Sequence, residues 1–261
     1  MDATTFAERY DAIISEPRMR ALYGDSGYFN TGYWPAGTTE LRAACDRLVD
    51  EIAAPIQRNP AVVIDAGNGL GSGTRRLTGR FPDALVVGAN LSLGQLAQAK
   101  LHAAVVMDAA KISIASVSAD AVVAVESPQH FDTRAAFFAE AFRVLRPGGV
   151  LTLSDMLFRD AKPIGPWMLP PANQVESIDA YTALLHAAGF DDVTVRDETA
   201  MTWTPFCAEM RRVFRGAEES LRAIEQSVSH YLLASARKPR ESASMQNAVV
   251  SSSEPHHGVS G

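Results

Sequence analysis

Residues 62–73 read VVIDAGNGLGSG, a run of branched apolar residues followed by an acid and alternate glycines. Asp65, Gly67, Gly69 and Gly71 stand where a buried strand would turn into a helix. Free N–H groups at such a turn attract anionic groups, and glycine permits positive φ and close approach to the main chain. The stretch therefore predicts a loop that cradles a ligand.

Three ligands and one purely structural role compete for this loop. A triphosphate-binding P-loop requires Gly-Lys-Ser/Thr, whereas Gly73 is followed by Thr74 and Arg75, so that reading fails. A dinucleotide fingerprint would need glycine at Ser72 and an acid at the end of the next strand, where Asn90 stands. A nicotinamide oxidoreductase and glycines that serve only tight packing remain alternatives to a small nucleoside.

The elements that would position the loop are short apolar runs alternating with helix-like segments. The runs are AVVID (61–65), ALVVG (84–88), AAVV (103–106), DAVVAV (120–125) and GVLTLSD (149–155). They are apolar on both faces, as strands of a parallel sheet between helices must be. Helices of crossover length separate them, which predicts a doubly wound α/β layer.

The second half of the chain continues this pattern with two more strands. SIDAYTALLHAAGF predicts a helix ending at Gly189, before the strand DDVTVRDET. PFCAEMRRVFRGAEESLRAIEQSV reads as one long amphipathic helix, followed by a final strand, HYLLASARK. We expect a single domain over 1–238, with a cap segment at 1–57, a core at 58–238 that carries an insertion near 157–175, and a flexible tail at 239–261.

Composition narrows the functional class. The chain has 261 residues, 47% of them apolar, which is enough for a large core, and its net charge of −6 argues against nucleic-acid or anionic-membrane partners. The first residues contain no signal-peptide pattern, and no apolar run approaches the roughly 20 residues of a membrane span. Cys45 and Cys207 lack metal-ligand spacing, which favours a reducing cytoplasm.

The pattern Asp65-x-Gly67-x-Gly69-x-Gly71 resembles motif I of the class I S-adenosylmethionine-dependent methyltransferases. Further segments over roughly 60–238 resemble the same family in order: VVGANLSLGQLAQA (86–99), VMDAA (106–110), DAVVAVESPQHF (120–131), FRVLRPGGVLTLSD (142–155), AAGF (187–190) and the terminal YLLASARK. The resemblance implies a Rossmann-like sheet of seven mostly parallel strands, with helices on both faces, an antiparallel last strand, and N-terminal and mid-chain cap segments.

A narrower resemblance concerns the acceptor. GYFNTGYW (27–34), GANLS and ESPQHF resemble a subgroup that methylates small metabolites and natural products, including tocopherol-like and polyketide or terpenoid tailoring enzymes. It implies S-adenosylmethionine as cofactor, S-adenosylhomocysteine as product and a small-molecule acceptor, with no metal. O-methylation is preferred because a histidine base suits it, and C- or N-methylation or an inactive cofactor-binding scaffold remains an alternative.

By the same resemblance, the cofactor would contact residues from five segments: Asp65, Gly67, Asn68, Gly69, Gly71, Asn90, Leu91, Asp108, Ala109, Val125, Tyr33 and Trp34. Asp65 would hold the amino group and the second strand the ribose hydroxyls. Many family members have an acid where this chain has Asn90, and an amide lacks the strength of a charged acceptor. Asp108 would accept from adenine, or alternatively cap a helix before AAKISIA.

The residues after Val125 would border the acceptor, because parallel sheets bind ligands at strand carboxyl ends. His130 is the candidate general base, since imidazole titrates near neutral pH, and its alternative role is structural. Glu126 is a second catalytic candidate that could instead anchor the loop. The remaining pocket candidates are aromatic, apolar or polar: Tyr28, Gln129, Trp167, Met168, Trp203 and Phe206.

Overall fold

The computed structural model describes residues 3–160 and 169–240, and within these ranges helices and strands alternate as predicted. The elements are α1 (Ala3–Ile14), α2 (Pro17–Tyr23), α3 (Leu41–Ala53), β1 (Val62–Ala66), α4 (Ser72–Arg80), β2 (Leu85–Asn90), α5 (Leu93–Ala99), β3 (Ala104–Val106), β4 (Ala119–Val125), α6 (Arg134–Val144), β5 (Leu145–Phe158), α7 (Ile178–Ala187), β6 (Asp191–Asp197), α8 (Trp203–Val213), α9 (Glu218–Ser227) and β7 (Val228–Arg237).

The strands form one seven-stranded sheet in the order β3-β2-β1-β4-β5-β7-β6. The first five are parallel, and β7 runs antiparallel between β5 and β6. This confirms the predicted mostly parallel sheet with an antiparallel last strand. The chain reverses its direction of travel across the sheet at β1, which lies between β2 and β4, and such a switch point opens a crevice at the carboxyl ends of the strands.

Two hydrophobic cores cover the two faces of the sheet. Successive residues of β1 alternate between them: Val63 packs with α3, α4, α8 and α9, whereas Ile64 packs with α6 and α7. Both side chains are fully buried. Strands that are apolar on both faces are therefore explained by helices on both faces, as predicted.

Two predicted boundaries were wrong. The segment 205–228 is not one helix, because α8 ends at Val213 and α9 begins at Glu218, with Gly216 in the connection at a φ of +87°. The strand predicted at 149–155 extends from Leu145 to Phe158, since pairing with β7 continues to Phe158 opposite Val228. Leu157 and Phe158, which the sequence analysis assigned to the insertion near 157–175, belong to this strand.

Candidate active site

A cavity of about 680 Å³ lies at the carboxyl ends of the parallel strands. Twelve residues predicted for the site line it: Tyr28, Asp65, Gly67, Asn68, Gly69, Asn90, Leu91, Asp108, Ala109, Val125, Glu126 and His130. The remaining wall comes largely from two segments, residues 10–30 and 169–172, which we call the roof segments. The fold thus brings the carboxyl ends of four strands and two distant segments around one space.

The three glycines of the loop after β1 have different roles. Gly67 has a φ of +76°, and a Cβ there would lie 2.5 Å from the Cβ of Ser127. Gly71, the residue before α4, has a φ of +81°, and a Cβ there would lie 2.8 Å from the Cβ of Ala99. Gly69 has a φ of +53° but no described atom within 4 Å of its Cβ position. Packing thus requires Gly67 and Gly71, whereas Gly69 faces open space at the cavity.

Asn68, for which the sequence offered no account, lies between the loop and β2. A Cβ on Gly88 would come within 2.9 Å of its Nδ2, so the amide covers that glycine. Both polar atoms of the amide are buried, and among the described residues neither has a hydrogen-bond partner. A buried amide of this kind costs free energy until a ligand satisfies it.

Asp65, the penultimate residue of β1, is a buried acid with 2% of its surface exposed. Thr74 Oγ1 donates a hydrogen bond of 2.7 Å to its Oδ2. Burial raises the pKa of Asp65 to about 6, while the bond from Thr74 acts in the opposite direction. A carboxylate held this way is suited to a cationic group in the cavity, which would favour its charged form.

Asn90 is the last residue of β2 and Asp108 follows β3, and each is partly engaged by its own loop. Asn90 Oδ1 accepts from the Ser92 N–H at 3.1 Å, and Asn90 Nδ2 donates to Gln95 Oε1 at 3.0 Å. Asp108 Oδ1 accepts from the Ala110 N–H at 2.8 Å. The structure shows a turn and not a helix after Asp108, so this acid caps a turn while lining the cavity.

Glu126 follows β4 in a left-handed conformation, with a φ of +49°. Its Oε1 accepts from the Thr31 N–H at 2.6 Å, from Thr31 Oγ1 at 2.8 Å and from the Tyr231 hydroxyl at 2.6 Å. Burial raises the pKa of Glu126 to about 7, against the effect of these donors. The carboxyl therefore fastens the N-terminal segment to the core, whereas the sequence analysis offered anchoring of its own loop as the alternative to catalysis.

His130 lies in a 3₁₀ turn, Pro128–His130, on the cavity wall. Its ring makes an edge-on contact with Tyr10, with the ring centroids 5.4 Å apart. Asn173 Nδ2 holds the turn from behind through the carbonyls of Gln129, at 3.0 Å, and Phe131, at 2.6 Å. The candidate base is thus carried by a turn that a neighbouring segment fixes in place.

A buried ion pair fixes Asn173 in turn. The guanidinium of Arg134 donates to both oxygens of Asp155, at 2.7 and 3.0 Å, and also to the Asn173 carbonyl oxygen. The side chains of Arg134 and Asp155 are 2% and 0% exposed. The Tyr181 hydroxyl donates to Asp155 Oδ2 at 2.8 Å. We call these four residues the turn support.

Several predicted site residues lie elsewhere. Trp203 and Phe206 pack in the hydrophobic core and are not among the residues that line the cavity. Tyr33 and Trp34 pack against the same core, and Trp34 Nε1 donates to the Thr31 carbonyl. Gln129 is fully buried, with Nε2 bonded to the Glu126 carbonyl. Gly71 also lies behind the wall, and Trp167 and Met168 fall outside the described residues.

The sequence analysis missed part of the cavity wall. Tyr10 and Ile14 of α1 line it, as do Phe131 and Leu169. Gln95 lines it too, and its signal was present: Ser92 and Gln95 form the S-x-x-Q pattern of a capping box. The sequence analysis did not predict α1, so it could not place side chains of this helix on the cavity wall.

Comparison with known proteins decides the family. A methyltransferase domain family matches residues 64–153. Methyltransferase GfsG of Streptomyces halstedii is 31% identical over 204 residues, which are 70% of this chain and 72% of that protein. The chain belongs to the class I S-adenosylmethionine-dependent methyltransferases. Its cofactor is S-adenosylmethionine.

Two other relatives are named for the position they methylate. Erythromycin 3''-O-methyltransferase of Saccharopolyspora erythraea is 29% identical, and the match covers 70% of this chain and 69% of that protein. The 27-O-demethylrifamycin SV methyltransferase of Amycolatopsis mediterranei is 28% identical, and the match covers 94% of this chain and 95% of that protein.

Solved structures share the fold. The [4+2]-cyclase SpnF superimposes with a TM-score of 0.75 at 21% identity, covering 92% of this chain and 98% of its own. Geranyl diphosphate C-methyltransferase from Streptomyces coelicolor A3(2) superimposes with a TM-score of 0.71 at 17% identity, and the match covers 90% of this chain and 97% of that protein. At these identities the likeness concerns the fold alone, and the names show that one fold serves different reactions.

The residues present fit the cofactor. The open space at Gly69 admits close approach to the main chain, and the buried amide of Asn68 has polar atoms to offer a ligand. When bound, S-adenosylmethionine supplies a methyl group on a positively charged sulfur. In the described ranges, we find no cluster of three or more His, Cys, Asp or Glu side chains able to hold a metal ion. No helix there has both the length and the apolar character to cross a membrane.

Proposed function

We propose that this enzyme is an O-methyltransferase of a hydroxylated small molecule, with His130 as general base. The observation that carries the proposal is the position of His130 on the wall of the same cavity as the glycine loop. An imidazole there can take the proton of a hydroxyl group as its oxygen becomes the nucleophile. Such proton transfer contributes about 10²–10⁴ in rate.

The cavity wall supports a division of roles. We assign the cofactor to the residues at the ends of β1, β2 and β3, with Asp65 for its amino group and Asn90 and Asp108 for its nucleoside part. We assign the acceptor to the side that carries His130, where Ile14, Phe29, Phe131 and Leu169 supply apolar surface: these four all line the cavity. Apolar walls with few polar groups are typical of small-molecule sites.

The chain's own part in the reaction is positioning and proton removal. The turn support holds the backbone on both sides of His130, so the ring can be presented in one orientation. The hydrogen bonds of Glu126 hold Thr31, the residue next to the roof segment 10–30, at the end of β4. Holding two reactants in line can supply on the order of 7–11 kcal/mol of the barrier reduction.

The relatives' names support oxygen as the acceptor atom, since those of erythromycin and rifamycin name O-methyl positions. We further propose a cytoplasmic location, which agrees with two cysteines, Cys45 and Cys207, that are both buried and unbridged. We also propose that residues 1–238 act as one domain, because the roof segments and the sheet build the cavity together.

The test is a panel of hydroxylated small molecules incubated with the enzyme and S-adenosylmethionine, with products identified by mass spectrometry and NMR. Once an acceptor is found, His130→Ala should lower kcat by about 10²–10⁴ while leaving the affinity for adenosylhomocysteine unchanged. His102→Ala is the matched control, because His102 is exposed and does not line the cavity.

Other outcomes would contradict the proposal in distinct ways. A product methylated on carbon or nitrogen would show that the enzyme is a C- or N-methyltransferase and not an O-methyltransferase. Full activity in His130→Ala would show that His130 is not the general base. Binding of adenosylhomocysteine without turnover on any acceptor would favour an inactive scaffold, and tight binding of NADH or NADPH would favour an oxidoreductase.

A further inference from the structure

A chain of polar contacts links α1 to the end of β2. Gln95 Nε2 donates to Asp11 Oδ1 at 2.6 Å, and Gln95 Oε1 accepts from Asn90 Nδ2 at 3.0 Å. Ser92 Oγ donates to the other oxygen of Asp11 at 2.9 Å. Gln95 is 3% exposed, and both Gln95 and Asn90 line the cavity.

The capping box at the start of α5 is modified, and this frees Gln95. The Gln95 N–H donates to Ser92 Oγ at 3.0 Å, as in an ordinary box. In that box the glutamine side chain would reach back to the Ser92 N–H. Here Asn90 Oδ1 takes the Ser92 N–H instead, at 3.1 Å. The Gln95 amide is therefore free to join Asn90 to Asp11.

The charge on Asp11 fixes the orientation of both amides. A carboxylate only accepts, so Gln95 must present its NH₂ group to Asp11 and its oxygen to Asn90. Asn90 must then present its NH₂ group to Gln95 and its oxygen to the Ser92 N–H. Rotating either amide by half a turn would place two donors or two acceptors together.

This arrangement leaves Asn90 with one N–H and one oxygen lone pair beyond the bonds described. A neighbouring pair of hydroxyl groups matches this set, because one hydroxyl can accept while the other donates. The ribose of adenosylmethionine carries such a pair. The Asn90 amide carries no negative charge. Asp11 of α1 supplies one at the other side of Gln95.

We propose that Asp11 is a positioning residue for the cofactor's ribose hydroxyls, acting through Gln95 on Asn90. The proposal rests on the proposed function in that it takes adenosylmethionine as the ligand of this cavity. It assigns to α1 a part in recognition of the ribose hydroxyls, which the resemblance placed at the second strand alone. A charge-assisted bond at the start of the relay stabilises the orientation of every bond after it.

The experiment compares two ligands by isothermal titration calorimetry: S-adenosylhomocysteine, and its analogue that lacks both ribose hydroxyls. Asp11→Ala should weaken binding of adenosylhomocysteine by about tenfold, and binding of the analogue by less than about twofold. Asp11→Asn, which keeps the shape and removes the charge, should weaken adenosylhomocysteine by about threefold. The loss of affinity in the Asp11 variants should differ between the two ligands only if Asp11 acts on the ribose hydroxyls.

Two variants serve as controls. Glu8→Ala removes an exposed acid from the same helix and should change neither affinity. Ser92→Ala removes another contact of Asp11 but leaves the amide relay, so its effect should be equal for the two ligands. If Asp11→Ala does not fold, judged by circular dichroism, Asp11→Asn decides the question with the same pair of ligands.

The possible failures are distinguishable. If the unaltered enzyme does not bind adenosylhomocysteine, the proposed function fails. If it binds, but the Asp11 variants weaken both ligands equally, the relay fails and Asp11 only docks α1. A hydroxyl-dependent loss in Ser92→Ala as large as that in Asp11→Ala would also overturn the relay, because it would assign the effect to helix docking.

Discussion

Glu126 shows how a side chain at the edge of an active site can be committed to holding the fold. Three donors converge on its Oε1 from the N-terminal segment and from β7. Burial still raises its pKa from 4.5 to about 7. The carboxyl therefore gains a proton on folding wherever the pH lies between these two values.

The pH dependence of stability follows from this shift. The raised pKa favours the folded state fully below about pH 4.5, and this contribution is lost as pH rises to about 7. Glu126→Gln stays neutral, so between these values the unfolding free energy of the natural enzyme should fall by about 3 kcal/mol relative to the variant. Urea denaturation across pH measures the difference, with Glu8→Gln as an exposed control. Parallel curves for Glu126→Gln and the natural enzyme would contradict the assignment.

At the residue scale, the sequence predicted best where the motif is local. Asp65, Gly67 and Gly69 all line the cavity, because residues in one strand-to-helix turn necessarily meet at its end. Trp203 and Phe206 were placed in the pocket although they lie in the core. An apolar aromatic side chain suits either environment, so its type alone could not separate the two.

Among the elements, the 3₁₀ turn that carries His130 depends most on distant support. Arg134 begins α6, Asp155 belongs to β5, and Asn173 follows the roof segment 169–172. Their contacts tie three separate parts of the chain to one turn. The sequence could not predict that these residues contact one another, because ion pairs between remote segments leave no periodic pattern.

Removing one partner of the buried ion pair should be severely destabilising. Arg134→Met leaves the Asp155 charge uncompensated in the core, at a cost of about 3–5 kcal/mol. Adding Asp155→Asn should recover part of that loss, so the double variant should cost less than the sum of the single changes. Tyr181→Phe, which removes one neutral donor, should cost about 1 kcal/mol. Urea unfolding provides all four values, and strict additivity of the pair would argue against the coupling.

The element boundaries missed by the sequence have local causes. The apolar spacing continues from α8 into α9 and conceals the break at Gly216, where the backbone has positive φ. The length of β5 depends on its antiparallel partner, since β7 pairs with it as far as Phe158. A partner strand more than 60 residues later in the chain could not be read from the β5 segment alone.

At the scale of the whole molecule, the sheet core and the roof segments meet around the cavity wall described above, and α2 also packs against α8 through Tyr23 and Phe206. Tyr10 and Ile14 of α1 line that wall, together with Tyr28 and Leu169. A ligand seated between roof and core would contact both and join them. The doubly wound core was predictable from alternating elements, whereas the closure of the roof depends on tertiary contacts such as Asp11 with Gln95.

Binding should therefore change the mobility of the roof more than that of the sheet. Saturation with adenosylhomocysteine should slow amide hydrogen exchange in α1 and α2, because opening these helices would then require loss of the ligand. Amides in β1 and β4, which are buried at the centre of the sheet, should respond less. Hydrogen exchange with mass spectrometry measures both. Equal protection throughout, or none in α1, would contradict the roof's part in ligand binding.

The contact between Gly67 and Ser127 has a consequence for redesign. It joins the loop after β1 to the loop after β4 with no space for a methyl group, so substitutions in either loop constrain the other. Gly27 of the roof is restricted in the same way, because a Cβ there would lie 2.7 Å from Ser72 Oγ, whereas Gly69 has open space around its Cβ position. Grafting residues 169–172 from a homologue onto this scaffold, with residues 10–30 and therefore Asp11 retained, should accordingly exchange acceptor preference while preserving the donor site.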